Sequence, residues 1–375
     1  MNSIYSGISC NLDHNVLTAA LPLFKEGSIE ALEWSFDALF NHKNIPSWFK
    51  ELLQFYGNEG RLIGHGVYYS LFSGKMSPEQ KEWLKHLEST SKQYNFDHIS
   101  EHFGFMTGAD FHKGAPLSVP YSSDALNVAK DRIARMSVAC QKPVGLENLA
   151  FCYSIDEVEK HGRYLKDILS EINGFIILDL HNIYCQVKNF DIPFKDLIQL
   201  YPLEMVREIH ISGGSWENSQ SEADKKIRRD THDEAVPEEV FEYLKLMINQ
   251  LPNLKFVILE QLGTGLTTDK HRLDFRSDFK RMKKICASAN SRNEASQNSF
   301  LPDKFIQSEI IYESDQLAKE QQILTGILED STSLNEAKKE LENSMLSQSS
   351  WQIENWDHSM LETAYEITQK WKHGF

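Results

Sequence analysis

Nine side chains of metal-binding type are spread between His65 and Glu260: His65, His102, Glu147, Asp179, Asn182, His210, Asp230, His232 and Glu260. Most of them end or directly follow a short apolar run, and Asn148 stands beside Glu147 in the same way. Imidazole suits iron, zinc and copper, whereas carboxylates suit harder cations and can bridge two ions. Taken singly, each has an ordinary reading. A lone histidine at a strand end makes a structural hydrogen bond, Glu147 or Glu260 forms a salt bridge, and Asp230-Thr231-His232 caps a helix. As a set they exceed what one ion takes, roughly four to six ligands. A cluster of two or three ions fits the set better. Buried together without a cation, so many carboxylates and imidazoles carry a heavy desolvation cost.

The runs that must position these residues alternate with helical patterns. The strand candidates are Ile4–Cys10, Ile29–Phe36, Arg61–Val67, Phe96–His102, Pro143–Asn148, Phe175–Asp179, Val206–Ser212 and Lys255–Glu260. Helical spacing falls between them, at Val16–Lys25, Ser47–Tyr56, Pro78 to Tyr94, Ser123–Ala139, a stretch capped by Ser154, Phe194–Leu200, a stretch from Pro237, and Arg276–Ala289. Ser77-Pro78 with Gln80, and Ser154 with Glu157, carry N-cap signatures. A long loop with Gly108, Gly114, Pro116 and Pro120 follows the fourth strand, and a polar loop from Gly213 to Glu234 follows the seventh. Eight strand–helix units imply an α/β fold, a (β/α)8 TIM barrel over residues 1–290. In that fold active-site residues sit at the C-terminal strand ends, where the last six strands deliver these candidates. No GxGxxG follows the first strand, which weakens an open dinucleotide-binding sheet.

Residues 291–302 read as a polar linker and 303–375 as a helical C-terminal extension, with helices over Phe305–Leu328, Ser333–Met345 and Asn355–Trp371. Trp351, Trp356 and Trp371 either dock this extension on the barrel or form a binding surface. The formal net charge is −15, and roughly half of that excess lies beyond Ser291. Such acidity disfavours nucleic acid as a partner, because affinity for phosphate rests on Lys and Arg. No run of eighteen apolar residues suggests a membrane span. The N-terminal residues lack a signal-peptide pattern. The five cysteines show no CxxC spacing and read as reduced thiols of a cytoplasmic protein. Cys152 and Cys185 read as packing residues near the site. His112, His161, His181 and His271 read as surface or loop residues, although His181 lies between Asp179 and Asn182. Glu101 is expected on the opposite side of its strand from His102.

At these residues the sequence resembles the DUF692 family of multinuclear non-heme iron-dependent oxidative enzymes. The matching segments are Gly7-Ile8 through His14, Gly64-His65-Gly66-Val67, Ile99-Ser100-Glu101-His102, Pro116–Tyr121, Leu146-Glu147-Asn148, Leu178-Asp179 with Asn182-Ile183-Tyr184 and Asn189, Glu208-Ile209-His210, Asp230-Thr231-His232-Asp233 with Val236, and Ile258-Leu259-Glu260. They span about residues 5–265. The resemblance implies two or three irons, mixed-valent Fe(II)/Fe(III), held by the nine residues above, with no catalytic residue beyond the ligands. It further implies dioxygen as co-substrate and a ribosomally synthesised precursor peptide as substrate, modified at cysteine through hydrogen abstraction by an iron-superoxo species. A small leader-binding protein is the implied partner.

Two positions depart from the family pattern. A second histidine often follows the His210 position by four residues, and here it is Gly214. Two asparagines commonly follow Asp179, and here His181 replaces the first. The ligand order is also similar to that of endonuclease IV-type AP endonucleases, which use a trinuclear zinc site on the same barrel. That resemblance implies the alternative, a zinc hydrolase or sugar isomerase. The endonuclease pattern has histidine where this chain has Asn182.

Overall fold

A computed structural model of the chain describes residues 4–40, 45–107, 115–289 and 298–373. His112, Gly108, Gly114 and most of the expected linker lie outside the described residues. Eight parallel strands close a barrel: β1 (Tyr5–Ser9), β2 (Ala31–Trp34), β3 (Leu62–Gly66), β4 (His98–Glu101), β5 (Val144–Glu147), β6 (Phe175–Asp179), β7 (Val206–Ile211) and β8 (Phe256–Leu259). Each pairs with its sequence neighbours, and β8 closes on β1 through Tyr5↔Phe256 to Ile8↔Leu259. Apart from half-buried Tyr5, every residue of these strands is buried, as parallel strands covered on both faces must be. The (β/α)8 barrel expected from the strand–helix alternation is thus present.

The crossover helices are α1 (His14–Lys25), α2 (Ser47–Asn58), α3 (Pro78–Gln93), α4 (Ser123–Cys140), α5 (Ile155–Leu169), α6 (Leu180–Asn189), α7 (Phe194–Ile198), α8 (Glu238–Met247) and α9 (Asp269–Ala289). Ser77 and Gln80 form a reciprocal capping box, and Ser154 accepts from the Glu157 N–H, as their spacing predicts. Helix α6 was not expected. Its N-cap is Asp179, whose carboxylate accepts from the Asn182 N–H. A carboxylate assigned to chemistry in the sequence therefore also starts a helix. Helix α9 begins seven residues before Arg276, at Asp269. The polar loop after β7 holds a short hairpin, Trp216–Asn218 against Lys226–Arg228.

The barrel interior is apolar at one end, apart from the buried His98–Glu208 pair, and polar at the other. Ala31, Ile63, Phe256 and Ile258 form one buried cluster, and Phe175, Ile177 and Phe300 another. Two residues further along the same strand faces come Glu33, His65, Asp179 and Glu260. A side-chain period of two carries each strand from core into site.

The C-terminal region runs along the barrel from the apolar end to the polar end. Phe300 packs edge-on against Phe175 under the Arg207 guanidinium. The next stretch, up to Ser314, is extended rather than helical, which corrects the expected helix from Phe305. Its carbonyls at 308, 310 and 312 accept from Arg135 and Arg132 of α4, so its backbone polarity is satisfied without a helix. Helices α10 (Asp315–Asp330), α11 (Leu334–Asn343) and α12 (His358–Trp371) then cover the loops that follow β3, β4, β5 and β7. Gln321 bonds the backbone of Gly74 and Phe72. Trp351 meets Phe105 edge-on and donates to Glu320. Trp356 stacks on Tyr153 with centroids 3.8 Å apart. Glu362 accepts from Ser219, Gln220 and Ser221. Two of the three tail tryptophans therefore dock the extension on the barrel.

Candidate metal centre

Three imidazoles enter the site with one nitrogen already committed. Ser100 Oγ donates to the Gly64 carbonyl (3.3 Å) and lies 2.8 Å from His65 Nδ1. The hydroxyl has one proton to give, so it accepts from Nδ1–H, and Nε2 keeps its lone pair. His102 Nδ1 donates to the Gly66 carbonyl at 2.9 Å, which frees its Nε2. His210 reverses the ring: Nε2–H faces Glu33 (3.1 Å) and Glu208 (3.3 Å), leaving Nδ1 free. Fixing one nitrogen so that the other can bind is the usual way proteins orient a metal-ligating histidine.

The free atoms converge on Glu147. Its carboxylate lies 3.3 Å from His65 Nε2, 3.5 Å from His102 Nε2 and 3.3 Å from His210 Nδ1. Glu260 lies 3.2 Å from His210 Nδ1 and 3.7 Å from His232 Nδ1. Asp230 lies 2.8 Å from His232 Nε2. Two groups have ligand atoms all within 4.8 Å of one another: His65, His102 and Glu147, and then Glu147, Asp179, His210 and Glu260. Glu147 belongs to both. A third group of that kind, Glu33, Glu208 and His210, lies on the interior side of His210.

Several of these atoms are close without being hydrogen-bonded. His65 Nε2, His210 Nδ1, His232 Nε2, Asp179 Oδ2 and Asn182 Oδ1 are buried with no hydrogen-bond partner. The contacts above are near enough for ion pairs, yet the donors and acceptors do not aim at each other. Ligands about 2.1 Å from a common ion stand roughly 3.0–3.4 Å apart and aim at the ion instead. Orphaned buried polar atoms are rare and call for an occupant.

Asn182 and Asn148 divide the work of two amides. Asn148 spends both ends on Asp179, accepting from its N–H (2.7 Å) and donating to its carbonyl (3.2 Å). It is a brace and has no amide atom left for an ion. Asn182 donates to the Asn148 carbonyl at 2.8 Å and keeps Oδ1 free.

The electrostatics call for positive charge. Burial opposes ionisation of Glu147, but His210, His65 and His102 together hold its carboxyl well below the usual range. Burial, with Glu147 and Asp230 nearby, pushes Asp179 well above it. Burial disfavours charged imidazoles, yet Glu147 and Glu33 raise His65 to about 10, and Asp230 with Glu260 raises His232 well above its usual value. A cation among these carboxylates would take the place of those protons.

Several sequence expectations change here. Glu101 is buried, with its carboxylate against Gly66. His161 is not on the surface: it is 3% exposed, and its Nε2 accepts from the Leu149 N–H. His181 is not a loop residue either: it is fully buried in the first turn of α6 and bonds Asp230 at 3.0 Å. The two departures from the family pattern meet in space. A Cβ at Gly214 would lie 3.0 Å from His181 Cε1. Ser100, Glu33 and Glu208 were missed as braces. Their signal is a polar residue inside an otherwise apolar strand.

The profile of a family described as RiPP precursor modification enzyme MbnB/TglH/ChrH matches residues 37–262, more than half of the chain. The chain belongs to this family. Its curated relatives include a UPF0276 protein of Caulobacter vibrioides, 25% identical over 179 residues, which are 47% of this chain and 60% of that protein. A UPF0276 protein of Haemophilus influenzae is 27% identical over 221 residues, 53% of this chain and 71% of that one. The chain thus spans about three-fifths of the length of the first of these relatives. Among solved structures, a xylose isomerase domain protein from Planctomyces limnophilus superposes with a TM-score of 0.49 at 11% identity, covering 76% of this chain and 98% of its own. The match over residues 37–262 takes in all nine candidate residues and ends before the C-terminal helices.

Proposed function

We propose that this protein oxidatively modifies a ribosomally synthesised precursor peptide, at cysteine, with iron and dioxygen. The observation that carries the proposal is the set of buried, unpartnered donor atoms at the mouth of a barrel from a peptide-modifying family. His65, His102, Glu147, Asp179, Asn182, His210, Asp230, His232 and Glu260 are the residues that would hold two or three irons. Bound iron supplies one-electron redox chemistry toward dioxygen and a Lewis acid for a thiolate.

The chain's own residues do the rest. Ser100, the Gly66 carbonyl, and Glu33 with Glu208 orient three imidazoles so that one nitrogen of each faces the site. Glu147 and Glu260, each facing two or more candidate ligands, are suited to bridging. His102 and Asp230, 37% and 26% exposed, mark the side on which a peptide reaches the site. The C-terminal helices exclude water from the loops above the site. On this reading a small leader-binding protein delivers the precursor in the cytoplasm. Asn182 favours it over a zinc hydrolase, because the endonuclease pattern has histidine there.

The test is co-expression with each short, cysteine-bearing reading frame beside the gene, in iron-supplemented cells. A mass change at cysteine that needs both the protein and oxygen is the expected result. Unaltered peptides, together with zinc-dependent cleavage of abasic DNA or isomerisation of a sugar phosphate, would overturn it.

A further inference from the structure

Asp230 and His232 are candidate ligands placed by a loop rather than by a strand or helix. Both lie outside the barrel strands, in the loop after Lys226–Arg228, and His232 has a positive φ of 52°. The His232 carbonyl accepts from the Leu262 N–H at 2.9 Å, whereas the direction of the Asp230 carboxylate is set by a side chain, His181.

Both ring nitrogens of His181 are engaged. Arg228 reaches Nε2 from Nε at 3.2 Å and from a terminal nitrogen at 3.1 Å. A guanidinium only donates, so Nε2 holds the lone pair and the proton sits on Nδ1. Nδ1–H then donates to Asp230 Oδ1 at 3.0 Å, the same oxygen that lies 2.8 Å from His232 Nε2. With both nitrogens spent, His181 has no lone pair for an ion. Arg228 is locked in turn. Asn189 accepts from its N–H and donates to its carbonyl, while the guanidinium lies over the Tyr184 and Trp216 rings. Gly214 leaves room for the imidazole: a Cβ there would stand 2.2 Å from the Arg229 carbonyl oxygen, besides crowding His181.

We propose that His181 is a positioning residue that aims the Asp230 carboxylate toward His232 and thereby sets affinity for the ion on that side. The inference rests on the metal-centre reading above. Arg228, Asn189 and Gly214 form the frame that keeps His181 in one tautomer and one orientation.

The test uses the full chain and reads metal per chain, affinity for Fe(II) by chelator competition, and the melting temperature before and after metal is stripped. His181→Phe keeps the ring but cannot donate, and is expected to weaken one ion by about 10–100-fold while the others stay. His181→Asn keeps a donor near the Nδ1 position and is expected to stay within about threefold of the parent protein. The metal-stripped Phe variant should melt close to the stripped parent. Equal weakening by Phe and Asn, or equal loss of melting temperature with and without metal, would mean a structural role and overturn the proposal. Should the Phe variant be insoluble, Arg228→Gln keeps the histidine but frees its tautomer. Weakened binding of the same ion supports the proposal, and unchanged affinity overturns it. A parent protein that binds no transition metal would overturn the metal-centre reading itself; a loaded parent with an unaffected Phe variant would overturn only the role of His181.

Discussion

Three of the four candidate imidazoles at the barrel mouth, those of His65, His102 and His210, have one nitrogen committed and the other free, and the committing groups differ: a hydroxyl, a carbonyl and a pair of carboxylates. Ser100→Ala should therefore strand a buried His65 N–H, at about 1–3 kcal/mol, and weaken metal binding by about tenfold. Chelator competition checks this, and Ser100→Thr should largely restore the parent value. Glu147→Ala removes the carboxylate facing three imidazoles. It should cost at least two ions per chain by elemental analysis. Most of the ligand types were legible in the sequence because they end or follow a strand-like run. Their braces were not, because they lie far off in sequence: Ser100, on the neighbouring strand, stands 35 residues from His65, and Glu33, across the barrel, 177 residues from His210. Strand pairing brings the first pair together, and barrel closure the second.

Helices α5 and α12 are joined across the mouth by Tyr153, which stacks on Trp356 and donates its N–H to Glu157. Burial raises the Glu157 carboxyl to about 7. The folded value lies above the unfolded one, so the stability tied to the protonated form is full below pH 4.5 and lost as pH rises through 7. Glu157→Gln keeps an acceptor without a titration. It should stabilise the protein at pH 8 by on the order of 2–3 kcal/mol and leave it unchanged at pH 4, as thermal melts at the two values would record. Strand positions were legible because buried parallel strands are short, apolar and regularly spaced. Helix α6 was hidden because Asp179 serves at once as strand end, N-cap and candidate ligand. The stretch before Ser314 misled in the other direction. Ile306 and Ile310 mimic a helical stripe, yet they are 69% and 80% exposed, and the backbone beside them bonds arginines of α4.

The C-terminal region spans the molecule, from Phe300 beneath the barrel to α12 over the loop after β7. It buries Phe105 and Tyr153, so it is part of the folded unit around the site. Truncation at Ser291 should expose those rings and yield an aggregation-prone barrel, recorded as loss of the monodisperse peak on size exclusion. A well-behaved truncated barrel with unchanged metal content would show that the tail serves only a partner. The charge and tryptophans of this region were plain in the sequence, but its path was not, because contacts between the tail and the barrel loops leave no local pattern. What the mouth of the barrel holds decides the chemistry. The most direct measurement is elemental analysis with Mössbauer spectroscopy on protein purified anaerobically from iron-supplemented cells. Two to three irons per chain, some of them antiferromagnetically coupled, is the predicted result. Zinc alone, with no gain in activity on iron reconstitution, would contradict it.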